Sequence, residues 1–332
     1  MKKSIAVVMV LLVAMSLVIA GGAKESAAGA KIPVVFAGTE APSTGQSRMM
    51  QAVADKLNAS GRFNATVQVA GALSADTDAL VTQAKLGVSL VVPSDPGRLA
   101  SQFNIPDLNI LMAPFILTNP EDLEKLPETA IFKEWQAELE AQGIILISDM
   151  YNGFRNFYTN VPVSKVSDLS GLRIRGFANA VGNGLAKYLG FANVGITFGE
   201  VFPAIQQKSL DGTEVQVSAA DGARLYEVTK YIAMTKHFML QSSFVCSKSF
   251  YDSMSESDRE FFVKTMRETS TEYGQIILDE EAPLYEKMEA NGVKISEVNM
   301  ADWMAAIEPM YTNNDLKFTP GLKDRLFKEL GY

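Results

Sequence analysis

The chain of 332 residues contains one cysteine, one histidine and two tryptophans. A single cysteine excludes an internal disulfide. Cys246 closes the apolar run Ser243–Phe244–Val245–Cys246, which reads as a buried, inert thiol. The lone His237 has no partner spacing for metal binding or catalysis and reads as part of a packed strand. There is no P-loop, no Gly-x-Gly-x-x-Gly after a strand, no Cys/His cluster and no Gly-x-Ser-x-Gly elbow. Nothing in the sequence therefore calls for a cofactor, a metal ion or catalytic machinery. An excess of positive charge is missing as well: the formal net charge is −8, and about −10 once Lys2 and Lys3 are removed. That balance argues against nucleic acid and against anionic membrane surfaces as partners.

Long apolar runs are also scarce, with one at the N-terminus. Lys2 and Lys3 precede Ile5–Ala20, which is shorter than the ~20 residues of a spanning helix, and small residues follow at Gly21, Gly22 and Ala23. The pattern predicts a signal peptide over residues 1–23, cleaved on export to the periplasm. Gly22 stands where a lipid-bearing cysteine would be needed. Residues 24–30 are small and polar and are expected to form a flexible linker.

The remainder is of ordinary globular composition, 47% hydrophobic and 20% charged. Some 300 residues exceed what one core usually supports, so two domains are expected. Ile32–Ala37, Thr66–Val69 and Ser89–Pro93 read as strands that alternate with helices at Met49–Leu57 and Asp76–Leu86. Glu121–Leu126 and Ile131–Gln142 read as helices and Gly143–Ser148 as a further strand. The alternation then restarts: strand Gly171–Arg175, helix Ala180–Leu189, strand Asn193–Ile196, helix Phe198–Gln207, strand Thr213–Val217. Such βαβ series predict an α/β fold with mostly parallel strands. Ser255-x-x-Asp258 marks the start of a helix of more than 30 residues ending at Asn291–Gly292, with a kink expected at Pro283. A helix this long is expected to cross from one domain to the other.

Between Gly153 and Glu214 lie arginines at or near strand ends, each followed by a helix start. A guanidinium is a planar fork that pairs with both oxygens of a carboxylate and never loses its charge. No nucleophile with a base accompanies these arginines, so the stretch suits holding an anion better than reacting with it. Period-2 geometry sets Arg173 and Arg175 opposite Leu172 and Ile174. Ligands of open α/β sheets bind outside the carboxyl ends of strands, which favours Arg175.

Five motifs in order resemble those of the periplasmic solute receptors of TRAP (tripartite ATP-independent periplasmic) transporters. They are Gly153–Phe154–Arg155, Asp168–Leu169–Ser170–Gly171–Leu172–Arg173–Ile174–Arg175, Glu200–Val201–Phe202–Pro203–Ala204–Ile205–Gln206, Asp211–Gly212–Thr213–Glu214 and Tyr226–Glu227–Val228–Thr229–Lys230–Tyr231. The resemblance spans nearly the whole mature chain and is densest from Gly153 to His237. It implies a two-lobed periplasmic binding protein with crossing hinge strands and a long interdomain helix, closing over a solute. It implies that Arg175 makes a two-pronged bond to a substrate carboxylate with Arg155 close by, and that membrane TRAP transporter subunits receive the solute. Two departures stand out. Val215, followed by Gln216, occupies the place where many relatives carry a ligand-contacting Asn, and Phe202 replaces Tyr.

Further ligand-binding candidates are Phe177, just beyond Arg175, and Glu214 and Gln216, which alternate with Val215 and Val217. Glu40, Asp76 and Asp95 follow predicted strands of the first lobe. Glu200 fits a Thr197-x-x-Glu200 capping box better than a ligand contact. The lobes are expected at 31–152 with 241–279, and at 153–240 with 280–332, as two sheets rather than one. Crossings are expected near Tyr151, near Leu240 and within the long helix. The expectation is a monomeric receptor for a small organic acid. A binding protein for another transporter type or a sensor, or an exported α/β enzyme, would be the alternatives.

Overall fold

The computed structural model describes residues Lys31–Tyr332, so the expected signal peptide and linker lie outside the described residues. The strands are β1 (Ile32–Ala37), β2 (Phe63–Gln68), β3 (Leu90–Ser94), β4 (Ile144–Thr159), β5 (Arg173–Arg175), β6 (Ala192–Val194), β7 (Gly212–Gln216), β8 (Tyr231–Ser247) and β9 (Lys294–Glu297). Hydrogen bonding runs in the order β2-β1-β3-β8-β4-β7-β5-β6, with β9 on β8. β1, β2 and β3 are parallel, as are β5, β6 and β7; β3 and β7 meet β8 and β4 antiparallel.

One continuous sheet therefore replaces the two expected from sequence. β4 and β8 are 16 and 17 residues long and pass through both halves, so the ladder never breaks fully. The division into lobes is carried by the cores instead. One cluster gathers Val34, Phe36, Val53, Phe63, Val91, Trp135 and Phe244. Two others cover opposite faces of the second half: Phe157, Ile174, Leu185 and Trp303 on one, Tyr158, Val201, Val215 and Ile232 on the other. Adjacent residues such as Phe157 and Tyr158 fall in different clusters because side chains alternate across a strand.

The long helix Glu256–Ala290 begins at Ser255, whose hydroxyl accepts the Asp258 N–H. It packs Phe262 and Met266 into the first core and Met288 into the second half, so it crosses as expected. It continues through Pro283, which only removes the donor for one carbonyl. No helix of the described residues is long and apolar enough to cross a membrane. The C-terminal helix Leu322–Leu330 corrects the expected boundary. Leu322, Leu326 and Leu330 pack into the first core, and Arg325 pairs with Glu134 of the helix Ala130–Ala141.

The two halves meet where the pairing of β4 and β8 slips, between Tyr151↔Gln241 and Phe154↔Met239. Gly153 has φ 103°, a left-handed conformation that favours glycine, and a Cβ there would stand 2.9 Å from the Gln216 Cβ. Glu281 of the long helix accepts the Tyr151 hydroxyl at 2.5 Å beside this slip. The Asp-Gly-x-Glu motif has a steric basis too: a Cβ on Gly212 would fall on the Tyr158 carbonyl oxygen. Gly212→Ala is expected to lower stability by roughly 1–3 kcal/mol, as overpacking against rigid backbone does. Urea unfolding of the two proteins measures it, and an unchanged midpoint would refute it.

Candidate functional site

The carboxyl ends of the parallel strands from both halves point at the same stretch of β4 and β8. Ser94, ending β3, lies opposite Ser243, while Gln216, ending β7, lies opposite Arg155, which in turn faces Phe238. Only the five steps from Phe238 to Ser243 separate the two ends, about 16 Å at ~3.3 Å per residue. A cleft between lobes follows from that register.

On the second-half wall, β4 and β7 lay Arg155 and Glu214 side by side. Arg155 is 4% and Glu214 2% exposed. Arg155 Nε donates to one carboxylate oxygen and Nη2 to the other at 2.8 Å, with Nη2 also reaching the Glu214 carbonyl at 2.5 Å. His237 of β8 brings Nε2 to 3.5 Å from Glu214, a long approach, while Nδ1 is 2.8 Å from the Thr235 hydroxyl. Its ring stacks on Phe157 at 4.7 Å. Burial alone would raise the Glu214 pKa, but the Arg155 charge and its hydrogen bonds reverse this and hold it at about 2. Burial holds His237 below its usual range despite the carboxylate.

Arg175 stands at the end of β5, half-buried. Its Nε donates to the Ile196 carbonyl at 3.2 Å and its guanidinium lies over the Phe198 ring at 5.6 Å. Among the described residues it has no carboxylate partner, unlike Arg155 and unlike Arg173, which pairs with Asp211 through Nε and Nη2 at 2.9 Å. Burial and the neighbouring Arg155 charge lower the Arg175 pKa, yet a guanidinium stays protonated. Phe177 lies under the Arg155 guanidinium at 4.2 Å and edge-on to Phe238. Gln216 Oε1 is 3.5 Å from Arg155 Nη1.

The first-half wall holds a cavity of about 160 Å³ to which Glu40, Ser94, Asp95, Asn152 and Gln241 contribute. Glu40 and Asp95 are thus brought together, each with a pKa raised by burial. Asp95 also caps the helix Pro96–Phe103, accepting the Arg98 N–H at 2.9 Å. Asp76 does not join them: it is exposed and caps the helix Thr77–Lys85.

Three expectations change in character. Glu214 is not a free ligand contact but the buried partner of Arg155. Arg155 spends Nε and Nη2 on Glu214 and keeps only Nη1, 3.5 Å from Gln216 Oε1. Val215 packs into a core, leaving Gln216 as the polar residue of β7 beside the cleft. The Thr197–Glu200 capping box forms, with Glu200 accepting the Thr197 N–H at 2.9 Å. Sequence reasoning missed His237 as the third member of the buried group, and missed Ser94, Asn152 and Gln241. The last two adjoin the expected crossings at Tyr151 and Leu240, a signal that could have found them.

Two lobes joined by crossing strands around a cleft are the architecture of a solute-binding receptor, a class of transport protein. The chain belongs to the bacterial extracellular solute-binding proteins, family 7 (DctP), whose profile matches residues 36–315. It is 25% identical over 242 residues to the sialic acid-binding periplasmic protein SiaP of Vibrio cholerae, covering 72% of this chain and 74% of that one. It is 29% identical over 177 residues to the C4-dicarboxylate-binding periplasmic protein DctP of Rhodobacter capsulatus, covering 53% of each. Among solved structures, a TRAP periplasmic solute binding protein from Ochrobacterium anthropi with bound L-fuconate matches with TM-score 0.75 and 26% identity, over 91% of this chain and 100% of that one. An apo open structure from Escherichia fergusonii matches with TM-score 0.82 and 23% identity, over 89% and 99%.

The buried pair generates a pH prediction. Glu214 has a folded pKa of about 2 against an ordinary 4.5. A depressed folded pKa contributes stability that is complete above the unfolded value and lost as pH falls through the folded one. Stability is therefore expected to fall as pH drops from about 4.5 towards about 2. Glu214→Gln should lose on the order of 3–5 kcal/mol at neutral pH, because Arg155 is left buried and unpaired. Its stability should also vary less with pH across that window. Denaturant titrations from pH 7 to 2.5 check both, and a variant as stable as the parent would contradict the pairing.

Proposed function

We propose that this protein captures a small organic anion with a carboxylate in the cleft and delivers it to the membrane subunits of a TRAP transporter. The observation that carries this is Arg175, a strand-end guanidinium whose terminal nitrogens have no hydrogen-bond partner among the described residues, while Arg155 and Arg173 are each paired with a carboxylate. The solutes named for the relatives above, sialic acid, a C4-dicarboxylate and L-fuconate, all bear a carboxylate. In this reading Arg175 forms the two-pronged bond, Arg155 and Glu214 hold the wall behind it, and Phe177 and Gln216 flank the solute. Glu40 and Asp95 face it from the other lobe. We take the lobes as 31–152 with 241–279 and the C-terminal helix, and 153–240 with 280 to about 315. The exported protein, freed of residues 1–23, works as a monomer in the periplasm.

Closure follows from contacts that exist only when both walls touch the solute, which shifts the population of a hinged molecule. Solution scattering is expected to show a smaller radius of gyration on saturation with ligand, and an unchanged curve would count against closure. Denaturing the purified receptor and identifying the released solute by mass spectrometry tests the class, and a neutral or cationic compound as the specific ligand would overturn it.

Arg175 is open to a direct test. A charged hydrogen bond contributes roughly 1.5–3 kcal/mol, so losing one prong should weaken binding about 10–150-fold. Arg175→Lys keeps the charge but not the fork. It should lose affinity clearly, Arg175→Ala should lose more, and the unliganded fold should persist. Arg173→Lys serves as the control, because Arg173 is spent on Asp211. Calorimetric titration decides, and parental affinity in Arg175→Lys would move the anchor elsewhere.

A further inference from the structure

The first-lobe cavity is lined by two carboxylates, Glu40 and Asp95, and one cation, Arg98, among hydroxyl and amide groups. The Glu40 carboxylate has no cationic partner among the described residues, and Asp95 shares its only cation. Arg98 Nε lies 3.0 Å from Asp95 and Arg98 Nη1 lies 3.4 Å from Asp78, so one positive charge serves two carboxylates. Behind them, Gln241 is 2% exposed and Ser94 7%, and neither Gln241 Oε1 nor Ser94 Oγ has a hydrogen-bond partner. The orientation of the Gln241 amide is fixed by chemistry. Its other end lies 3.2 Å from Asp149, which as a carboxylate accepts only, so that end is the NH₂ and the oxygen is left without a partner. Both side chains line the cavity that also holds Glu40 and Asp95. A buried acceptor left without a donor is costly, and a solute that supplies the donor recovers that cost on binding.

From this we infer that the solute carries a single acid group, seated at Arg175, and that its far end consists of hydrogen-bond donors received by Glu40, Ser94, Asp95 and Gln241. The inference rests on the Arg175 reading and sharpens it. A second acid group reaching this cavity would meet Glu40 and Asp95, with Arg98 the one cation in the lining and already shared between Asp95 and Asp78. In a partly buried cleft like charges repel strongly, and the group would also leave the Gln241 oxygen unsatisfied. Hydroxyl groups and an ammonium group both satisfy such a wall, and acids with the same carbon skeleton separate them.

The test uses the mature receptor and matched acids: gluconate with glucarate, galacturonate with galactarate, and amino acids beside the corresponding diacids. The receptor is also incubated with a metabolite extract, washed and denatured, and the released solute is identified by mass spectrometry. The expected ligand has one acid group with hydroxyl or ammonium groups at its far end. Its matched diacid should bind on the order of 100-fold more weakly, as one close like-charge contact implies. Glu40→Gln, and separately Asp95→Asn, which can still cap its helix, should narrow that ratio. Arg175→Lys should weaken monoacid and diacid alike and leave the ratio nearly as it was, which separates failure of the anchor from failure of the wall. A diacid bound as tightly as its monoacid, a diacid released from the extract, or a ratio unmoved in both wall variants would overturn the inference. Capture of no acid at all would overturn the carboxylate reading along with it.

Discussion

The buried ion pair of Arg155 and Glu214 is the constraint on which the site depends. Two charges removed from water stabilise little unless their remaining donors and acceptors are also met. Here two nitrogens of the guanidinium are spent on the Glu214 carboxylate and backbone, and His237 closes the far side. The pair fixes β7 against β4 and gives Phe177 a rigid cationic neighbour. Glu214 is bonded to Arg155 and acts on Arg175, a strand away, only through space, too weakly to offset burial and the Arg155 charge. A nearby carboxylate that was free would close the anchor before any solute arrived.

The second constraint is the pair of long strands. β4 and β8 carry hydrogen bonding through both halves, yet their pairing slips between Tyr151 and Phe154 and again between Arg155 and Phe157. The first slip lies within the first core, which holds Tyr151, Phe154 and Met239, and the second lies just before Phe157, where the second-half core begins. Glu281 of the crossing helix reaches Tyr151 at the first slip, so the third crossing is tied to the other two by a hydrogen bond as well as by the packing of Ile277 and Tyr151 in the first core.

Much of the fold was legible because it is local. The strand Ile32–Ala37 and the helix Ala180–Leu189 coincide with the observed elements residue for residue, and the long helix starts at its Ser255 cap. Apolar period, capping residues and turn glycines need no distant partner to act. The length of β4 was not legible: Gly143–Ser148 read as one short strand, yet the strand runs to Thr159 through Asn152 and Gly153. Those two residues argue against a strand locally, and pairing with β8 overrides them. The C-terminal helix was likewise assigned to the wrong lobe, since its apolar face states that it packs but not against what.

At the site, sequence by itself determined the chemistry on offer: arginines at strand ends, no nucleophile, and carboxylates after first-lobe strands. It also determined the family, through motifs whose order is unambiguous even though each is short. Only the tertiary structure decided which arginine is free. Arg155 and Glu214 are 59 residues apart, and nothing short-range pairs them; the antiparallel register of β4 and β7 does. The same register turns Val215 into a core and leaves Gln216 beside the cleft. Charge and residue type are properties of a sequence, whereas the partner that cancels a charge is set by long-range packing.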